Sequence, residues 1–212
     1  MDFQIRARLR ESAKSYASHT PKRTSDILDC SLGVNPYGCP QSVIDAMKAF
    51  DWSTLPDYPH ARNPVQAISR HWMGSGLKED NLALTDGSIE ALYLINQLFA
   101  VPDAQIVGFI PTFTDMVVNA HMLGIKYKSV PLSEDDMRKD IEMLLEAVTK
   151  QTVLIYVDNP NNPTGQTLPL EALEHVIKGA ARHDIAVLID EAYGGFCQTR
   201  NISSPGREGL IT

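Results

Sequence analysis

The chain has 212 residues, 43% of them hydrophobic, enough to bury a sizeable core as one large or two small domains. A net charge of −7 and a pI near 5.3 argue against nucleic acid or an anionic membrane as the main partner. No apolar run approaches the ~20 residues of a membrane span.

Residues 1–23 depart from the acidic balance, with Arg6, Arg8, Arg10, Lys14, Lys22 and Arg23 against Asp2 and Glu11. They lack the apolar core of a secretory signal. The simplest reading is a solvated N-terminal helix that packs on a partner or on the body. Cys30, Cys39 and Cys197 are scattered without C-x-x-C spacing, as expected of reduced thiols in the cytoplasm rather than of a metal site. The six histidines show no H-x-x-x-H or H-x-E pairing, so no metal is expected.

In chain order, residues 1–19 read as a helix, 20–26 as a linker and Ile27–Leu32 as a short extended piece. Gly33 to Pro40 is dense in turn formers. Val43, Met47 and Phe50 then mark a helical stripe. Asp57-Tyr58-Pro59 is a break, and Asn63-Pro64 looks like a cap and first residue of a helix that Gly74-Ser75-Gly76 closes.

Leu82–Thr85 reads as a short strand, followed by a Gly87-Ser88 turn and an almost wholly apolar helix, Ile89 to Phe99, expected to be buried. A glycine turn that opens a helix presents free N–H groups at the positive end of the helix dipole, an anion site in waiting. An ordinary tight turn explains the same residues. Strands are expected at Ile106–Ile110 and Ile125–Val130, with a helix between them. The next helix carries Ile141, Leu144, Leu145 and Val148, with Glu134, Asp135 and Asp136 near its start.

Thr152–Val157 is an apolar, β-branched run that breaks into Asp158-Asn159-Pro160-Asn161-Asn162-Pro163-Thr164-Gly165. A helix with Leu173, Val176, Ile177 and Ala180 on one face follows, then a second apolar run, Ile185–Ile189, ending in Asp190-Glu191-Ala192-Tyr193. This is one right-handed βαβ unit. Alternating strands and helices from Leu82 onward define an α/β fold, a three-layer αβα arrangement on a mostly parallel sheet of about five strands. Ligands in such sheets lie beyond the carboxyl ends of the strands, where Asn162, Asp190 and Tyr193 fall. Something flat and polar belongs there.

Asn-Pro-Asn-Asn-Pro-Thr-Gly and Asp-Glu-Ala-Tyr at this separation resemble the fold-type I pyridoxal-phosphate enzymes, the class I/II aminotransferases, in the branch of histidinol-phosphate aminotransferase and threonine-phosphate decarboxylase. Asn35-Pro36-Tyr37-Gly38, Tyr58-Pro59, Gly87-Ser88-Ile89-Glu90 and Pro111-Thr112-Phe113 follow the same order, so the resemblance spans residues 25 to 196. It implies a pyridoxal 5'-phosphate cofactor, a small-domain or dimer-arm segment over residues 1–40, and a partial cofactor-binding large domain over 41–212.

The resemblance assigns Asp190 to the ring nitrogen, Asn162 and Tyr193 to the ring oxygen, and Phe113 to the ring face. It assigns Gly87, Ser88 and Ile89 to the phosphate, Tyr58 to the phosphate of a neighbouring subunit in a homodimer, and Asn35 and Tyr37 to the substrate mouth. The implied reaction moves an amino group from an amino acid to a 2-oxo acid or a phosphorylated keto substrate. The lysine that links to the cofactor in this family follows Asp-x-Ala-Tyr in a Ser-x-x-Lys context, which this chain does not contain. An N-terminal part of a longer enzyme is therefore expected, inactive alone. Two other readings stay open, a decarboxylase of a phosphorylated amino acid and a non-catalytic truncated chain. A dinucleotide-binding fold is disfavoured, since no G-x-G-x-x-G follows the first strand.

Overall fold

Parallel strands need long crossovers, and helices on both faces of the sheet supply them here. The computed structural model describes residues 37–56, 58, 62–71 and 78–197. The helix expected over 1–19, the linker, the extended piece at Ile27–Leu32, Asn35, and the Gly74–Gly76 closure lie outside the described residues. The described residues fall in two compact units, one before Arg62 and one from Arg62 onward.

In the first unit, helix α1 (Gln41–Lys48) follows Pro40, whose fixed φ suits a helix start. Val43 and Met47 lie on it, while Phe50 stands beyond its end and packs edge-on against Trp52 at 5.0 Å. All three stripe residues are exposed.

The second unit opens with helix α2 (Arg62–His71), so Asn63 and Pro64 sit inside its first turn rather than at its cap. Leu82–Thr85 is not a strand: it pairs with no other segment among the described residues. A run of four residues has no strand identity without a ladder. Helix α3 (Gly87–Leu98) follows. It is less buried than its composition suggests. Leu92 and Asn96 are buried, but Ile89, Leu94 and Leu98 are exposed. Asn96 stitches the helix to its neighbour, donating from Nδ2 to Met116 O at 3.1 Å and to Asn119 Oδ1 at 3.0 Å.

Strand β1 (Gln105–Ile110), helix α4 (Thr114–Met122), strand β2 (Lys126–Pro131), helix α5 (Ile141–Glu146), strand β3 (Thr152–Asp158), helix α6 (Leu170–Ala181) and strand β4 (Ala186–Asp190) complete the unit. Among the described residues the sheet has four parallel strands where about five were expected, in the order β2-β1-β3-β4. Asp140, not the acidic triplet, caps α5, its side chain accepting from Met143 N at 3.1 Å. Glu134, Asp135 and Asp136 lie in the preceding turn.

Successive strand residues point to opposite faces. Val107, Phe109, Ile155 and Val157 pack with Leu144, Leu173, Val176 and Ala180 under α5 and α6. Ile106, Leu154 and Tyr156 pack with Leu92, Met116 and Ala120 under α3 and α4. Three layers result, as expected. On the second face, Tyr156 and Asp158 share the direction of Leu188 and Asp190, and Asp158 pairs in register with Asp190.

Candidate functional site

Most of the residues expected to form a site in the second unit gather at the carboxyl edge of the sheet. A cavity of about 360 Å³ lies there, lined by Ser88, Ile89, Phe113, Asp158, Pro160, Asn162, Asp190, Ala192 and Tyr193. That volume is within the range of small-ligand pockets. Six of the expected residues meet in it: Ser88, Ile89, Phe113, Asn162, Asp190 and Tyr193.

Asp190 ends β4, so its backbone is fixed by the ladder while its side chain is free to project past the sheet. Its Oδ2 accepts from the Tyr156 hydroxyl at 3.0 Å and its Oδ1 from the Ala192 N–H at 3.0 Å. A carboxylate has about four lone-pair sites, so Asp190 keeps capacity for a further donor. The Asp190 carbonyl accepts from Asn159 N at 2.8 Å, which locks the strand end to the turn after β3.

Asp158, its partner in register, is in the opposite state. It is 3% exposed and saturated with donors. Thr112 Oγ1 donates at 2.9 Å, Asn161 Nδ2 at 2.8 and 2.9 Å, and the Asn162 N–H at 3.2 Å. The Lys139 ammonium lies 3.5 Å from its Oδ1 and also donates to its backbone carbonyl. Two carboxylates thus stand side by side, and only Asp190 can take a new ligand donor.

Asn162 sits in a turn that is built by its neighbours. Asn161 accepts from Thr164 N at 3.1 Å, and its N–H donates to Gln166 O at 2.9 Å, closing the loop around it. Tyr193 follows Asp190 by three residues, exposed to 43%, with its ring 6.3 Å from that of Phe196. Phe113 is half-buried just before α4. The cavity lining therefore combines aromatic rings, Phe113 and Tyr193, with polar side chains, Ser88, Asn162 and Asp190.

Helix α3 brings its N-terminus to the cavity through Ser88 and Ile89. The first N–H groups of a helix have no intrahelical acceptor. The Gly87 N–H already has an acceptor outside the helix, Thr85 O at 2.8 Å, and Gly87 does not line the cavity. Its φ of +75° explains why glycine stands there. Glu90 reaches back to the Asp86 N–H and steadies the turn.

Tyr37 and Tyr58 belong to the first unit and are 95% and 89% exposed. Asn35 lies outside the described residues.

Burial raises the proton affinity of two tyrosines beneath the site. The Tyr156 hydroxyl is pushed up first by desolvation and then by the charges of Asp190 and Asp158. Tyr127 is pushed up by desolvation and by Asp158. Both stay neutral donors. Lys139 is held below the usual lysine value by burial, with Asp158 pulling the other way.

Sequence reasoning overlooked Tyr156, Thr112, Asn161, Asp158 and Lys139 as a connected group. The signal for Tyr156 and Asp158 was present: in a strand they share a face with Asp190's position two residues apart. Nothing in the sequence pointed to Lys139, which reaches the site from the loop before α5.

The family profile for aminotransferase class I and II matches residues 25–208. Histidinol-phosphate aminotransferase from Geobacillus sp. (strain WCH70) is 34% identical over 170 residues, covering 80% of this chain and 45% of that protein. The enzyme of the same name from Lactiplantibacillus plantarum is 28% identical over 195 residues, covering 88% and 53%. Among solved structures, histidinol-phosphate aminotransferase from Sinorhizobium meliloti in complex with pyridoxal-5'-phosphate superposes with a TM-score of 0.68 at 27% identity, covering 78% of this chain and 44% of that one. Aspartate aminotransferase from Thermus thermophilus with maleate gives 0.61 at 27% identity, covering 68% and 38%. The chain spans about half the length of the curated relatives it matches.

Proposed function

The chain belongs to aminotransferase class I and II, and from that membership we propose that its cavity holds pyridoxal 5'-phosphate and serves the transfer of an amino group from an amino acid to a 2-oxo acid or a phosphorylated keto substrate. The observation that carries this reading is Asp190: a carboxylate with spare lone pairs, anchored by Tyr156 and Ala192, facing a cavity walled by an aromatic ring.

The residues present fit the cofactor. A planar pyridine needs an apolar face, and Phe113 offers one at little entropic cost. Its ring oxygen needs donors, and Asn162 and Tyr193 line the same cavity. Its phosphate needs N–H groups at the positive end of a helix, and Ser88 and Ile89 supply them. Gly87 shapes that turn rather than donating to it.

Bound there, pyridoxal phosphate supplies an electron sink for the pair left when a bond to the substrate Cα breaks. Asp190 keeps a proton on the ring nitrogen, through a charge-assisted hydrogen bond of ~1.5–3 kcal/mol. Asn162 and Tyr193 hold the ring oxygen ionised. The saturated Asp158 takes no part in that proton's placement.

Among the described residues, no lysine lines the cavity to anchor the cofactor covalently. Lys139 does not serve, because its ammonium is committed to Asp158 and it does not line the cavity. The partner subunit's Tyr58 completes the phosphate site in a homodimer, and Asn35 and Tyr37 border the substrate. We read residues 1–40 as an arm or small-domain segment and 41–212 as part of the large domain. Free Cys39 and Cys197 suit the cytoplasm.

Aminotransferase is preferred to decarboxylase because the similar proteins carry that name. The test is Asp190→Ala in the whole protein, assayed for amino transfer and for carbon dioxide release. Retained folding with turnover reduced at least ~10–100-fold is expected; near-normal amino transfer, or carbon dioxide release as the main reaction of the unaltered enzyme, would reject the proposal.

A further inference from the structure

We propose that Asp158 is a positioning residue, whose carboxylate, countered by Lys139, ties the segment that carries Phe113 to the turn that carries Asn162 and so sets the width of the ring slot. This rests on the reading of the cavity as a pyridoxal phosphate site.

The geometry is that of a clamp. Oδ2 of Asp158 accepts from the Thr112 hydroxyl at 2.9 Å, one residue before Phe113. The same oxygen accepts from the backbone N–H of Asn162 at 3.2 Å. The two walls of the slot therefore converge on a single atom, held at the end of β3 by the ladder to β4. Asn161 closes the figure from a third side. Its Nδ2 donates to both Asp158 oxygens and, at 3.0 Å, to the carbonyl of Pro111. Thr112, Asn161 and Asn162 are thus bound to one another through the buried Asp158 side chain, and Pro111 joins them through Asn161.

A neutral residue would be the simpler choice for such a knot, since a buried charge without a partner is costly. Lys139 resolves this. Its side chain is 1% exposed, and its ammonium pairs with Asp158, at Oδ1 and at the backbone carbonyl, while standing 5.9 Å over the Phe109 ring. The pair is close to neutral seen from the cavity. That leaves Asp190 as the negative charge a pyridinium would meet, although Asp158 stands beside it in register. Hydrogen bonds to a charged acceptor are stronger than neutral ones, which is what a joint between two loops needs.

The Asp158 clamp borders the ring slot and not the phosphate cradle, which is built by Ser88 and Ile89 on a different element. That separation supplies the test. Affinities of the purified protein for pyridoxal phosphate, by equilibrium dialysis, and for inorganic phosphate, by competition, are compared across Asp158→Asn, Thr112→Val and Thr112→Ser. Thr112→Val keeps the side-chain shape and deletes one donor, so it remains informative should Asp158→Asn not fold. Pyridoxal phosphate affinity is expected to fall about tenfold or more in Asp158→Asn and several-fold in Thr112→Val, with Thr112→Ser and all inorganic phosphate affinities within about twofold of the unaltered protein. Unchanged pyridoxal phosphate affinity in Thr112→Val and Asp158→Asn, or an equal loss for both ligands, would overturn the positioning role alone. An unaltered protein that binds no pyridoxal phosphate would remove the reading on which it rests.

Discussion

The Tyr156 hydroxyl donates to Asp190 Oδ2 at 3.0 Å across two neighbouring strands. Tyr156 is fully buried, and its neutral form is enforced by its surroundings, so it acts as a fixed donor that orients the carboxylate toward the cavity. Tyr156→Phe removes that donor with almost no change of shape. Turnover of the complete enzyme should fall about tenfold or more, as for loss of a hydrogen bond to a charged group. Steady-state kinetics beside a melting curve check this; an unaltered rate would show that Asp190 needs no such orientation.

Gly108 on β1 lies against the Tyr127 ring. A Cβ there would stand 2.1 Å from the Tyr127 hydroxyl and 2.9 Å from the Tyr156 carbonyl. Gly108→Ala should destabilise the fold by ~1–3 kcal/mol through overpacking. Tyr127→Phe removes the closest clashing atom, so the double variant should lose less than the sum of the two single variants. Additive losses in denaturant melts would mean that the backbone, not the hydroxyl, sets the limit.

Alkaline pH should unfold the protein through its buried tyrosines. Tyr127 and Tyr156 have folded-state values raised above 10.0, so the native state keeps protons that the unfolded chain gives up. Their contribution is intact below pH 10 and is lost as pH rises beyond it, at ~1.4 kcal/mol per pH unit for each group. Lys139 works in the opposite sense. Its folded value is below 10.5, so its contribution improves as pH rises toward 10.5 and then stops. Two tyrosines outweigh one lysine, and stability should fall from about pH 10 upward. Melting temperatures across that range, with Tyr127→Phe giving a shallower fall, are the check; a flat profile would contradict the burial of these hydroxyls.

Much of this was legible in the sequence, and the reasons are specific. Asn162, Asp190 and Tyr193 sit at strand ends, where the switch from an apolar run to polar residues is itself the signal. The faces of α6 were equally plain from the spacing of Leu173, Val176 and Ala180. Leu82–Thr85 misled because composition gives strand propensity but not a partner. Helix α3 misled in another way: an apolar composition demands burial, yet Leu94 and Leu98 are exposed among the described residues. The Asp158–Lys139 pair was hidden because it joins a strand end to a loop nineteen residues earlier, and no periodicity spans such a gap.

Tyr58→Phe deletes one hydroxyl from a side chain that is 89% exposed. Fold stability should change by no more than ~0.5 kcal/mol. If Tyr58 reaches the phosphate of a neighbouring subunit, as proposed, cofactor should nevertheless leave the complete enzyme faster. Loss of pyridoxal phosphate on dilution measures this; an unchanged release rate would take Tyr58 out of the site.

The most direct test of the whole account reads the ring nitrogen itself. Pyridoxal phosphate labelled with ¹⁵N in the ring, bound to the protein, reports by its chemical shift whether that nitrogen carries a proton. The account predicts a pyridinium shift in the unaltered protein and a neutral pyridine shift in Asp190→Ala, with Asp158 still in place. The same shift in both proteins would contradict it.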